Sequence, residues 1–165
     1  MLSIVVLCST AIAACDDDDD GGTEPETEFE ATLSGTEEVP AVSTPASGSA
    51  TVSIQGSAIV YTVDVANLEN AVLAHIHVAP PGESGPVRMN LCGTPDGVPA
   101  CTSGTGTLVT GTNGNTEEIT FDSLVSAIRA GNAYVNVHTS DGEAPANTGP
   151  GDFPGGEIRG QLTPQ

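Results

Sequence analysis

Apolar and polar residues alternate along this chain in a series of short runs, and turn-forming residues separate the runs. A period of two sends one side of each run to a core and the other side away from it. The runs are FEATLSG (29–35), GSATVSIQ (48–55), AIVYTVDV (58–65), AVLAHIHVA (71–79), VRMNL (87–91), GTGTLVT (104–110), TEEITF (116–121), AYVNVHT (133–139) and GGEIRGQL (155–162). Gly56-Ser57 reads as a hairpin turn, and GTNGN (111–115) as another. DSLVSAIRAG (122–131) alone carries a helical pattern, with Asp122 as N-cap and Gly131 as terminator. Short, evenly spaced strands with one short helix predict an all-β fold, an antiparallel sandwich or barrel. The Gly/Pro/Asp-rich stretch SDGEAPANTGPGDFPG (140–155) is long for a compact domain, and loops of that length are often functional.

Composition narrows the function. Among 165 residues there are 22 acidic side chains against 3 Lys+Arg, giving a net charge of −19, and there is no lysine. Such a surface repels phosphates, which excludes nucleic acid as a partner and disfavours anionic membrane surfaces. Aromatic residues make up only 3% and Trp is absent, so no large stacking platform for sugars or bases is expected.

The first residues read as an export signal. MLSIVVLCSTAIAAC is a short apolar run followed by small residues and a cysteine, too short to span a bilayer comfortably. AIAAC resembles a bacterial lipobox, although no Lys or Arg precedes the apolar run. The resemblance implies removal of residues 1–14 and lipidation of Cys15, hence a lipid-anchored protein of the bacterial envelope, periplasmic or surface-exposed. Residues 15–28, with five consecutive aspartates, read as a solvated acidic tether, and 29–163 as the domain. Cys92 and Cys101 remain, and a closely spaced pair in an exported chain reads as a disulfide pinning the loop between them.

The alternation gives the histidines a common side. Val72, Ala74, Ile76 and Val78 share one face of their strand, and Leu73, His75 and His77 the other. Val135 and Val137 oppose Tyr134, Asn136 and His138. The aliphatic sides are expected to face the core and the polar sides the exterior. If the two strands are near neighbours, all three histidines converge, and three imidazoles with an open position suit copper or zinc. Polar residues on an outer sheet face also need no ion, and one of them could simply hydrogen-bond the long loop. Asp141, Glu143 and Asp152 are candidate carboxylate ligands in that loop. Arg159 shares a face with Glu157. It is expected to anchor the long loop through a salt bridge or hydrogen bonds, or else to contact an anion beside the histidines. Tyr134 and Asn136 are expected to support the site.

FEATLSGTEEVPAVSTPASGSATVSI, LAHIHVAPPGESGPV, GNAYVNVHT and GGEIRGQL together resemble the CHRD domain, which was named from repeats in chordin and also occurs in exported bacterial proteins. The similarity spans about residues 29–163. It implies a non-catalytic binding or interaction module for an unidentified protein or polymer ligand. A weaker similarity is to copper/zinc superoxide dismutase, whose Greek-key β-barrel carries an H-x-H strand, a later V-x-H strand and a late arginine. The matching positions are His75, His77, His138 and Arg159. That similarity implies a Greek-key topology and, as the alternative function, a copper-dependent dismutase-like enzyme. The bridging histidine and the further zinc histidines of that family have no counterpart, because the chain holds only 3 histidines.

Overall fold

The computed structural model describes residues 27–94 and 97–165. The expected signal, Cys15 and nearly all of the acidic tether lie outside the described residues. The elements are β1 (Glu28–Ser34), β2 (Ser47–Gln55), β3 (Ala58–Leu68), β4 (Ala71–Val78), β5 (Val87–Cys92), β6 (Gly104–Asn113), α1 (Phe121–Arg129), β7 (Ala133–Thr139), β8 (Ile158–Gln161) and β9 (Thr163–Pro164).

The strands form one antiparallel sheet in the order β5-β4-β7-β8-β1-β2-β3-β6, with β9 paired to β1. β5 and β6 touch across the seam, so the sheet is nearly closed into a barrel. Read around that seam, the order β7-β4-β5-β6 is three consecutive strands with a fourth returning beside the first, the Greek-key connection.

Alternating residues fill the interior: Phe29 and Leu33 of β1, Val52 of β2, Ile59, Tyr61 and Val63 of β3, Ile76 of β4, Leu91 of β5, Val135 and Val137 of β7, and Ile158 of β8. Each such side chain contributes about 1.5–3 kcal/mol through burial. Helix α1 adds Leu124 and Ile128 to the same core. Cys92 and Cys101 are joined by a disulfide, as the sequence predicts.

Several local expectations are corrected. Residues 111–113 extend β6 and are not a turn. TEEITF (116–121) is no strand: Glu118 has a left-handed φ of 58°, which breaks the extended run, and Phe121 opens the helix. The N-cap of α1 is Thr120, whose hydroxyl accepts from Ser123 N at 3.2 Å; Asp122 lies in the first turn instead. Gly131 does stop the helix, at φ 69°. Val72, expected in the core, is 39% exposed, because a register irregularity between Ala71 and Leu73 turns it outward.

Candidate metal centre

The largest correction concerns the polar side of β4 and β7. It faces away from the barrel core but it is not exterior. His75, His77 and His138 are each only 7% exposed, and Tyr134, Asn136 and Arg159 are buried with them. Three segments cover this face. The 80–86 loop contributes Gly85, whose carbonyl meets His77 Nδ1 at 2.9 Å and whose N–H donates to the Tyr134 hydroxyl at 3.1 Å. The 140–157 segment contributes the Pro154 carbonyl, 2.9 Å from His138 Nδ1. The segment after β1 places Glu38 beside Asn136.

Pairing in register brings the ligands together. β4 and β7 are neighbours, with Leu73 opposite His138, His75 opposite Asn136 and His77 opposite Tyr134. The ring nitrogens available from His75, His77 and His138 all lie within 4.8 Å of one another. Three nitrogens bound to one ion at about 2.0–2.1 Å are at most about 3.6 Å apart, and about 3.4 Å in a tetrahedral site. The widest-spaced rings therefore need to close by a little over about an ångström to share an ion.

The hydrogen bonds determine which nitrogens are free. A carbonyl oxygen only accepts, so His77 and His138 each carry their proton on Nδ1 and donate it to Gly85 and Pro154. Burial is the main reason that both rings stay neutral: it lowers the His77 pKa to about 4 and holds that of His138 below its ordinary value. In both rings Nε2 is thus a lone pair. His138 Nε2 lies 3.2 Å from His75 Nδ1, which must donate to it in the metal-free chain. His77 Nε2 is buried and has no partner. A buried acceptor without a donor is costly, and a metal ion supplies what it lacks. On binding, His75 would move its proton to Nε2, so that Nδ1 joins the two Nε2 atoms as the third ligand. Carbonyl contacts behind two of the three rings fix their orientation, as is common around metal-binding histidines.

Desolvation, then the neighbouring His138 and His77, holds the His75 pKa down to about 3. Unfolded histidine titrates near 6.5. Below that value the unfolded chain takes up protons that the folded rings refuse, so acid favours unfolding. The metal-free protein is expected to lose stability progressively from about pH 6.5 down toward the folded values of about 4 and 3. Urea midpoints measured across that range check this. A midpoint that is flat down to the lower value would show that the rings are accessible to protons.

The remaining predicted residues separate into those at the site and those away from it. Tyr134 stacks on His77, ring centroids 4.9 Å apart and planes within 10°. The Arg159 guanidinium carbon lies over the Tyr134 ring, 3.5 Å from its centroid. Among the described residues Arg159 forms no ion pair, so the salt bridge expected of it is absent. The anchoring of the long loop belongs to Glu157, which is wholly buried. It accepts from Thr44 Oγ1, from Thr139 Oγ1 at 2.6 Å and from Gly151 N at 2.9 Å. Asp141, Glu143 and Asp152 do not join the histidines. Asp152 Oδ2 is taken by the backbone N–H and hydroxyl of Thr148, and Asp141 Oδ1 by Glu143 N. Glu38 was not singled out by sequence reasoning. Its signal was its place in the LSGTEEVP stretch, whose backbone doubles back so that Val42 N bonds Gly35 O at 2.8 Å.

The CHRD domain model matches residues 29–162, and the chain belongs to this family. No curated protein and no solved structure matches it.

Proposed function

We propose that this chain is an exported, lipid-anchored binding module of the bacterial envelope that holds one copper or zinc ion through His75, His77 and His138. The observation that carries the metal reading is the unpartnered, buried Nε2 of His77, which converges with ring nitrogens of two other histidines. Three imidazoles leave a coordination position open for a group from a partner protein or polymer. Nitrogen ligands of this type bind Cu(II) more tightly than Zn(II). A non-catalytic role is supported by the net charge of −19, which opposes the approach of a small anionic substrate such as superoxide.

The test is thermal unfolding of the metal-free protein with and without added Cu(II) or Zn(II). An ion at a hundredfold excess over its dissociation constant adds about 2.7 kcal/mol. The melting temperature is expected to rise with either ion, and more with copper. No rise with either would contradict the reading. The anchor has its own check. In a bacterial host, Cys15→Ser is expected to move the protein from the membrane fraction to the soluble fraction, whereas an unchanged distribution would remove the lipid from the proposal.

A further inference from the structure

A second site lies beside the histidine cluster, and none of its lining residues is a histidine. A cleft of about 380 Å³ is walled by Val39, Pro40, Val42 and Phe153, and Glu38 and Gly156 also line it. That volume falls within the range of small-molecule sites, about 300–1,000 Å³. Glu38 is only 8% exposed, and its Oε1 has no hydrogen-bond partner. Asn136 Oδ1 beneath it is buried and unpartnered as well. A Cβ built on Gly156 would lie 2.6 Å from Glu38 Oε1 and 2.7 Å from both Oδ1 and Nδ2 of Asn136, so this glycine packs directly against the pair, and Asn136 does not line the cleft. Glu38 Oε1 is therefore a buried acceptor without a donor at the edge of an apolar cleft. Unsatisfied acceptors in such a place cost free energy until a donor arrives.

We propose that this cleft binds a small primary alkylammonium group, with the –NH3⁺ donating to Glu38 Oε1 and the alkyl part lying against Val39, Pro40, Val42 and Phe153. An ammonium carries three donors and no acceptor, which suits an unpartnered carboxylate oxygen. Charge-assisted hydrogen bonds of this kind are about twice as strong as neutral ones. The strongly acidic chain also concentrates cations at its surface. Burial raises the Glu38 pKa to about 7, against the opposing effects of the Arg159 charge and of hydrogen bonds from Asn136 and the Val39 backbone. An incoming cation favours the ionised form, so binding should tighten as pH rises through that value and should release a proton below it.

The site stands independently of the metal reading, so the test uses the full chain without metal. n-Butylammonium is titrated above the Glu38 pKa while backbone amide shifts of Val39, Ala41, Val42, Phe153, Gly155 and Gly156 are followed by NMR. Saturable shifts confined to these residues are expected, with n-butanol binding about tenfold more weakly or worse. Glu38→Gln should weaken the ammonium by a similar factor while leaving the rest of the spectrum in place. Val39→Ser, at a residue that is 41% exposed, should weaken it several-fold with Glu38 intact. Absent saturation, equal binding of the alcohol, or unaltered binding by Glu38→Gln would each overturn the proposal.

Discussion

Replacing His75 and His77 together by alanine is expected to reduce copper affinity by more than about 100-fold. Loss of a residue that merely supports a ligand costs about 10–100-fold in metal affinity, and this variant removes two of the three ligands. Neither substitution should unfold the chain. His77→Ala loses the Nδ1 bond to the Gly85 carbonyl, which keeps the Tyr134 hydroxyl as a donor at 3.3 Å, and the lost His75 Nδ1 contact is one hydrogen bond between neutral rings. A competition titration against a coloured chelator reads the affinity, and circular dichroism checks the fold. A folded variant that still binds copper as the parent does would place the ion elsewhere.

The second large effect concerns stability. Glu157 is a fully buried carboxylate that ties three parts of the chain together: the segment after β1 through Thr44, β7 through Thr139, and the long loop through Gly151. Glu157→Ala leaves two hydroxyls and one backbone N–H without their acceptor. At about 1–3 kcal/mol for each stranded group, the variant is expected to lose about 3 kcal/mol or more in urea unfolding. Glu157→Gln keeps one acceptor oxygen and should lose less. The same change should weaken metal binding indirectly, because the long loop carries the Pro154 carbonyl that orients His138. A loss under about 1 kcal/mol in the alanine variant would mean that water replaces these bonds without difficulty.

The strands and the grouping of the histidines were legible in the sequence because both depend on period-two alternation. That rule assigns side chains to two faces, and His75, His77 and His138 do share one. It says nothing of what covers that face. The cover comes from Gly85, Pro154 and Glu38, three loop positions distant from one another in sequence, and only tertiary structure brings them over the sheet. The polar face therefore reads as exterior in sequence and is buried in the folded chain. Arg159 and Glu157 show the same limit. Alternation puts them on one side of the GGEIRGQL run, but which of the two anchors the loop depends on the donors of Thr44, Thr139 and Gly151. The shift of the helix cap from Asp122 to Thr120 is smaller in kind. Both residue types cap helices, and local preference alone does not choose between them. TEEITF shows propensity being overridden: Thr, Ile and Phe favour strand, yet Glu118 adopts a left-handed turn.

The most direct measurement is the metal content of the purified protein. The disulfide-bonded chain is loaded with Cu(II) or Zn(II), dialysed, and its bound ions are counted by mass spectrometry beside the His75→Ala, His77→Ala variant. About one ion per chain in the parent and none in the variant is the predicted result, one lone-pair set filling one tetrahedral ion's three protein positions. No ion in the parent, or the same content in both proteins, would contradict a metal centre at these three histidines.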